Sequence, residues 1–299
     1  MTSQPATAVR QRPRLPRVPR LLRALARDRS GLIGLVIVAV VVIGAVGAAW
    51  LSPYPDQGLG APNIIEKLRA PSLAHPMGTD ELGRDLLSRI MFGGQASLAM
   101  AVLVVFMGVA IGVMLGSAAG YFGGWIDEAL MRLTDIFLAF PPLLLAIVVA
   151  TALGPGFASA TVALGITWWP WYARLSRAQS ASLRGRPFVE AARVMGVRAP
   201  SILGRHIIPN LTGPILVQAT LDLSAVILVG SGLSFLGLGV QAPTADWGTM
   251  VSSGRIFFLG FPWYATFPGL TIVFISVGFV LLGDGLRKAL DVQPSDLAR

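Results

Sequence analysis

The sequence predicts an all-α membrane protein with six transmembrane helices and both termini in the cytoplasm. Of its 299 residues, 54% are apolar and only 13% are charged, a balance that a soluble domain of this length does not show. Apolar stretches also recur along the chain, and each must be helical because hydrocarbon offers the backbone no other hydrogen-bond partner. The predicted spans are 31–51, 95–120, 131–153, 159–175, 211–236 and 264–283.

The first predicted span follows an arginine-rich tail, and a signal peptide also has a basic segment before an apolar one. Residues 31–51 contain no charge. At ~1.5 Å per residue, this stretch can cross a hydrocarbon core of ~30 Å, whereas the apolar part of a signal peptide is shorter. The sequence therefore predicts a retained first transmembrane helix.

The distribution of charge predicts the orientation of the chain. The tail 1–30 has eight arginines and one acid, and the segment 177–209 has six arginines and one acid. Loop 52–90 has four basic and five acidic residues, and loop 237–263 has one of each. Because cytoplasmic loops are enriched in Lys and Arg, the first two segments are predicted to be cytoplasmic and the two loops extracytoplasmic. An even number of spans satisfies this alternation.

The predicted organisation has four parts. The basic tail is expected to set the orientation of the chain and to be either disordered or bound to the lipid surface, and nucleic-acid binding is not expected. Thr79 and Asp80 are expected to cap a lead-in helix before the second span. The parts are a basic cytoplasmic tail (1–30), a first transmembrane helix and extracytoplasmic loop with the lead-in helix (31–94), a five-helix core (95–283) and a cytoplasmic tail (284–299).

The sequence lacks the residues that several classes of catalytic and metal-binding site require. The chain has no cysteine and two histidines, His75 and His206, which lie far apart and predict no metal site. No H-E-x-x-H or G-x-S-x-G motif occurs. Neither lysine, Lys67 or Lys288, completes a phosphate-binding G-x-x-x-x-G-K-[ST] loop. The sequence therefore predicts neither an enzyme nor a resident cofactor.

Segment 186–210 carries helix signals inside a predicted cytoplasmic loop. Pro187 suits a first helical turn, Glu190 lies near the positive end of the helix dipole, and Gly196 suits a left-handed helix end. A helix of about ten residues is predicted. A second helical element is expected to begin at Ser201 and to stop at Pro209.

One face of this first helix is predicted to be apolar. Phe188, Ala191, Ala192 and Met195 fall at helical spacing. The two adjacent alanines make the helix thin, so another protein could approach its backbone closely. The same pattern also fits an interfacial helix on the inner leaflet, and composition leaves both interpretations open.

Three motifs resemble one family. Glu190-Ala191-Ala192, three residues, Gly196, nine residues and then HIIP at 206–209 resemble the EAA loop of ABC importer permeases. HPMGTDELGRDLLSRI at 75–90 and GLSFLGLGVQAPTADWG at 232–248 resemble the C-type subunit of the dipeptide, oligopeptide and nickel permease group. The resemblance implies the type I ABC importer permease fold in a bacterial inner membrane.

What the resemblance implies about function is also specific. The EAA loop would form coupling helices in a cleft of cytoplasmic ATPase subunits, which would bind ATP and Mg. A homologous B-type permease, two ATPase subunits or a fused pair, and an extracytoplasmic substrate-binding protein are the implied partners. The expected cargo is di- or oligopeptides, with nickel chelates and glutathione-like solutes as alternatives. The implied ATPase-coupling residues are Phe188, Glu190, Ala191, Ala192, Met195, Gly196, His206 and Pro209.

Asp222 is the one carboxylate well inside a predicted span. A charge at this depth costs about 3 kcal/mol on insertion scales, so its side chain should face protein or water. It is a candidate pore residue, with a hydrogen-bonded packing contact as the alternative. A secondary transporter, the competing class, would couple to ions through several such buried carboxylates.

Overall fold

The computed structural model describes Leu25 and residues 28–291. Most of the predicted basic tail 1–30 and the end of the predicted tail 284–299 lie outside the described residues. Within these residues all regular secondary structure is helical, and the only strand-like pairing is an isolated bridge between Thr79 and Asp85. The prediction of an all-α fold is confirmed.

Twelve α-helices, two of them single turns, follow one another along the described chain. A 3₁₀ turn at Ile64–Glu66 and a π-helical turn at Leu203–Ile207 complete the order. The helices are α1 Arg29–Val46, α2 Ala48–Leu51, α3 Pro55–Leu59, α4 Leu86–Phe122, α5 Gly124–Leu138, α6 Pro142–Leu153, α7 Phe157–Arg184, α8 Pro187–Val194, α9 Ala199–Ile202, α10 Ile208–Phe235, α11 Trp247–Arg255 and α12 Trp263–Asp291.

Four helical segments in the described part of the chain are long and apolar enough to cross a membrane. They are α1, α4, the continuous segment Ala199–Phe235 and α12, and the bent pair α5–α6 makes a fifth if it counts as one span. The remaining predicted span, 159–175, lies inside α7, which has 28 residues but a polar, arginine-bearing second half. The count of six spans and the cytoplasmic termini therefore stay predictions.

The predicted span 131–153 is not one straight helix. Instead, α5 and α6 meet at an angle of 84°. Pro141 has φ −57° and ψ 127°, which is outside the helical region, and α6 starts at Pro142. The ring of Pro142 disfavours a helical Pro141, and neither proline has an N–H to continue the ladder. Two consecutive prolines thus divide the apolar stretch.

Helices α4 and α7 form the most closely packed pair of the bundle. Gly108, Gly112, Gly116 and Gly120 recur every four residues along α4 and lie against the backbone of α7. A Cβ built at Gly112 would lie 2.5 Å from the carbonyl oxygen of Trp169. Small residues at this spacing let two helix backbones approach directly. The pair leads directly to segment 186–210, which follows the end of α7.

The lead-in region differs from its prediction. Thr79 and Asp80 do not cap a helix; Asp80 Oδ1 instead accepts hydrogen bonds from the backbone N–H groups of Leu82 and Arg84, both at 2.9 Å, and closes a turn. The cap is Asp85, whose Oδ2 accepts from Ser88 N–H at 2.8 Å. Because Asp85 begins α4, the lead-in and the second span are one continuous helix.

His75 lies buried beside this cap. Its Nδ1 is 2.9 Å from Asp85 Oδ1, its Nε2 is 3.0 Å from Glu66 Oε2, and its ring stacks on Tyr54 at 4.8 Å. Only 2% of its surface is exposed. These contacts join the extended loop 52–85 to the start of α4.

Candidate functional site

The predicted helix of segment 186–210 is present as α8. Pro187 lies in its first turn, Met195 ends it, and Gly196 follows with φ +77°. A left-handed glycine at this position lets the chain reverse direction without the strain that a side chain would add. The sequence signals for both ends of the helix are therefore confirmed, and the helix is slightly shorter than expected.

The apolar residues of α8 are divided between an exposed side and a buried side. Phe188 and Met195 are exposed, at 44% and 75%, as is Val194 at 88%. Ala192 is only 3% exposed and lies on the buried face with Val189. Ala192 lies one turn after Phe188, as predicted, but it packs on its own chain and is not open to a partner protein. Sequence reasoning also missed Val194, which its apolar character and its place in the last turn could have indicated.

The remaining predicted coupling residues divide between the two sides. Glu190, Ala191 and Gly196 are exposed, while His206 is half-buried with its ring centroid 6.4 Å from that of Phe188. Pro209 is exposed in the first turn of α10. The expected helix stop at Pro209 is wrong: α9, the π-helical turn and α10 run on as one segment. Proline is tolerated there because the first turn of a helix needs no N–H donor.

The buried face of α8 is anchored to two long helices. Val189 and Ala192 belong to a cluster with Ile207 at the end of the π-helical turn, Leu211 in the first turn of α10 and Tyr121 at the end of α4. Arg193 adds a contact, since its guanidinium lies 5.5 Å from the centre of the Tyr121 ring. The buried face of α8 thus packs on its own chain through this cluster and through the Arg193–Tyr121 contact.

Two ion pairs hold α5 against α7 next to this segment. Arg174 Nη2 lies 2.7 Å from Asp135 Oδ1, and Arg177 Nη2 lies 2.6 Å from Asp127 Oδ2. Both pairs are largely exposed, so each contributes modestly to stability. They nevertheless fix which faces of the two helices meet.

Asp222 lies inside the bundle between α10 and α7. Its side chain is 9% exposed, and its Oδ1 accepts a hydrogen bond from Gln218 Nε2 at 3.0 Å. Tyr172 and Trp168 of α7 are its neighbours. Its Oδ2, the Tyr172 hydroxyl and Trp168 Nε1 are buried without a well-formed hydrogen bond to any described residue. The carboxylate is thus covered by α7 and does not lie on the surface of the chain.

No metal centre is built by the described residues, since no group of three His, Asp or Glu side chains among them could hold an ion. The site thus consists of an exposed helix fixed to the bundle and a buried polar cluster.

Residues 112–293, which include α8, its anchor and Asp222, match the family described as the binding-protein-dependent transport system inner membrane component. The chain belongs to this family of transport permeases. Residues 20–71 also match the N-terminal transmembrane domain of oligopeptide transport permease C. The resemblance predicted from the three motifs is confirmed, as is the prediction of a multi-pass inner-membrane protein.

Curated relatives cover most of this permease. It is 44% identical over 229 residues to the dipeptide transport system permease protein DppC of Alkalihalophilus pseudofirmus, an alignment that covers 77% of this chain and 75% of that protein. It is 43% identical to the probable D,D-dipeptide transport system permease protein DdpC of Escherichia coli K12, with 77% and 78% covered. It is 41% identical to the glutathione transport system permease protein GsiD of Escherichia coli O157:H7, with 82% and 80% covered. These relatives are permease components of transport systems and not enzymes.

A solved structure supports the fold of the permease. The inward-facing MetNI methionine ABC transporter contains a chain that superposes with a TM-score of 0.53 at 19% identity, covering 66% of this chain and 94% of that one. At this identity the similarity concerns the fold alone, which is that of a type I ABC importer permease.

Proposed function

We propose that this permease is a C-type subunit of an ATP-driven importer, that it forms half of a translocation pathway for di- or oligopeptides, and that α8 transmits the movement of cytoplasmic ATPases to the membrane helices. The observation that carries the proposal is the division of α8 into an exposed apolar face and a buried anchor. Phe188, Val194 and Met195 are exposed, whereas Val189 and Ala192 fix the helix to α4 and α10.

The coupling role follows from how this arrangement transmits force. An exposed apolar helix fits a groove in a partner, and its buried face passes displacement to the helices that it touches. Closure of two ATPase subunits around ATP and Mg would move α8 as a rigid body. Because α8 is held by the ends of α4 and α10, the bundle would tilt with it and open on the other side.

The topology that suits this function has six spans with both termini in the cytoplasm. It takes the bent pair α5–α6 as one span and α7 as another. The arginine content of segment 177–209 supports a cytoplasmic α8, and the balanced charge of loop 52–90 supports an extracytoplasmic lead-in. With this orientation, α8 faces the compartment that contains ATP.

The partners and the cargo follow from the relatives. A B-type permease would form the other half of the pathway, two ATPase subunits or a fused pair would grip the two coupling helices, and an extracytoplasmic binding protein would deliver the cargo. Two relatives are named for dipeptide transport, which favours peptides. A third is named for glutathione transport and makes a glutathione-like tripeptide the second candidate.

Asp222 is proposed to meet the pathway only when α7 and α10 move apart. Its 9% exposure keeps it from solvent in the arrangement described, and its Oδ2 has no well-formed partner there. A buried carboxylate with one partner is costly, so water or a cargo ammonium group would stabilise it when the helices separate.

The coupling proposal is tested by placing charge on the exposed face of α8. The double variant V194D/M195D alters only exposed side chains, so the chain should insert and fold as the parent does. In cells that also produce the other subunits, dipeptide uptake should fall by at least about tenfold, and the ATPase subunits should no longer co-purify with the permease.

The matched control is V194I/M195L, which keeps the same positions apolar. It should retain uptake and co-purification. If V194D/M195D retains its ATPase subunits and its uptake, α8 is not the coupling element. If uptake falls while the ATPase subunits remain bound, α8 acts instead as a helix on the inner leaflet.

A further inference from the structure

A second candidate site lies at the opposite end of the bundle from α8. A cleft of about 150 Å³ opens between segment 80–89, helix α11 and the start of α12. Four ionisable side chains line it, together with Thr249 and Tyr264: Asp80, Glu81, Arg84 and Arg89. The volume is that of a small molecule of a few heavy atoms rather than that of a single water molecule.

Arg89 contributes a buried positive charge to this cleft, and some of its N–H donors have no hydrogen-bond acceptor among the described residues. Its side chain is 5% exposed, and its Nη1 donates to the carbonyl oxygens of Gly58 at 3.2 Å and Pro243 at 2.8 Å. Its Nε–H and Nη2–H groups form no hydrogen bond with any residue that the structure describes. A guanidinium with free donors is planar and suits a pair of anionic oxygens.

Glu81 contributes a carboxylate to this cleft, and neither of its oxygens has a close side-chain partner among the described residues. Its Oε1 lies 3.8 Å from Arg84 Nη2, too long for a hydrogen bond, and its Oε2 is buried without a partner among the described residues. Partial burial raises the pKa of this carboxyl above its usual value. No ion pair joins Glu81 to Arg89 in the described part of the chain.

The other two charged side chains, Asp80 and Arg84, form a close ion pair. Arg84 Nε donates to Asp80 Oδ2 at 2.6 Å, and both side chains are buried. The cleft therefore contains one close ion pair, the Glu81 carboxylate, which Arg84 approaches only to 3.8 Å, and the Arg89 guanidinium. A purely anionic ligand would meet the Glu81 carboxylate, and a purely cationic ligand would meet the Arg89 guanidinium. A ligand with both charges satisfies both groups.

We propose that this cleft binds a small zwitterion, with its anionic oxygens on the free donors of Arg89 and its ammonium group on Glu81. Two sources have this chemistry: a free amino acid or dipeptide, and the headgroup of a zwitterionic phospholipid. The site lies away from α8 and from Asp222, so the inference stands apart from the proposed coupling role and does not depend on the transported cargo.

The test uses the full permease co-purified with its partner subunits in nanodiscs of phosphatidylglycerol alone. The probe is L-alanine, compared with N-acetyl-L-alanine, which lacks the ammonium group, and L-alaninamide, which lacks the carboxylate. Calorimetric titration should detect binding of L-alanine, with both analogues at least about tenfold weaker. The variant E81Q should weaken L-alanine by a similar factor while the complex remains intact, since Glu81 has no ion-pair partner closer than 3.8 Å.

The matched control is D56N, which neutralises an exposed acid outside the cleft and should bind L-alanine as the parent does. A second arm measures, by native mass spectrometry, retention of phosphatidylethanolamine by the parent and by E81Q. Retention of the lipid that depends on Glu81 assigns the cleft to a headgroup, and binding of L-alanine that depends on Glu81 assigns it to a free solute. The proposal is overturned if neither ligand binds, if both bind E81Q as well as the parent, or if the two analogues match L-alanine.

Discussion

Replacement of Gly112 by alanine tests the close packing of α4 on α7. A Cβ at this position would lie 2.5 Å from the Trp169 carbonyl oxygen, 2.5 Å from Tyr172 Cβ and 2.8 Å from Ala173 N. Carbon and oxygen atoms approach to about 3.3 Å, so the helices must separate by roughly 0.8 Å. Two of the three clashes involve backbone atoms, which no change of rotamer can relieve.

The expected loss of stability in G112A follows from the cost of overpacking. Adding a methyl group where the neighbours cannot yield costs about 1–3 kcal/mol. For a chain of this size, the thermal midpoint should fall by about 2–10 °C. The measurement is thermal unfolding of the purified chain in one detergent, followed by circular dichroism.

The control for this experiment is G232A in α10, where an added Cβ meets no atom within 4 Å. Alanine should raise stability there by about 0.5–1 kcal/mol, because glycine is the poorer helix former. A G112A midpoint equal to or above that of G232A would refute the reasoning, since it would mean that the two helices are not in backbone contact.

Three further predictions concern buried or paired charges. D222N replaces a buried carboxylate by an amide of the same shape, so the thermal midpoint of unfolding should stay equal or rise while dipeptide uptake falls. Unchanged uptake would exclude Asp222 from the translocation pathway. H75F should destabilise the chain by about 2–4 kcal/mol in denaturation experiments, because Asp85, which is fully buried, loses a partner; an unchanged midpoint would contradict this. Hydrogen bonds from the Ser30 hydroxyl and from Lys288, and then the Gly31 N–H, lower the pKa of Asp28 from 3.8 to about 2, so the Asp28–Lys288 ion pair between the start of α1 and the end of α12 should be complete above pH 3.8 and lost as the pH falls through about 2. Hydrogen exchange of α1 should show this loss in the parent and no such transition in D28N.

Much of the fold could be predicted because its signals are local. The apolar stretches predicted helices wherever the structure has α1, α4, α10 and α12, since hydrocarbon leaves the backbone no alternative. Pro187 and Gly196 located both ends of α8 because their backbone preferences do not depend on neighbours.

The errors arose where a local pattern fits more than one structure. The Thr79–Asp80 cap was plausible by pattern, but Asp80 is held in a turn by its pair with Arg84, and Asp85 caps α4 instead. Ala192 was placed on the exposed face because helical spacing identifies neighbours on a helix without saying which side meets the protein. Pro209 was taken as a stop because proline at a helix start and proline after a helix end look alike in sequence.

The sequence by itself determined that the chain is helical, that it belongs in a membrane and that a short helix with an EAA-type motif lies in an arginine-rich segment, because these depend on composition, local backbone preference and motif spacing. Only the tertiary structure decided which face of α8 is free, that Asp222 is covered by α7, and that Glu81 and Arg89 line one cleft without pairing. The physical reason is that burial and charge pairing are set by residues far apart in the chain, and their distances exist only once the helices have packed.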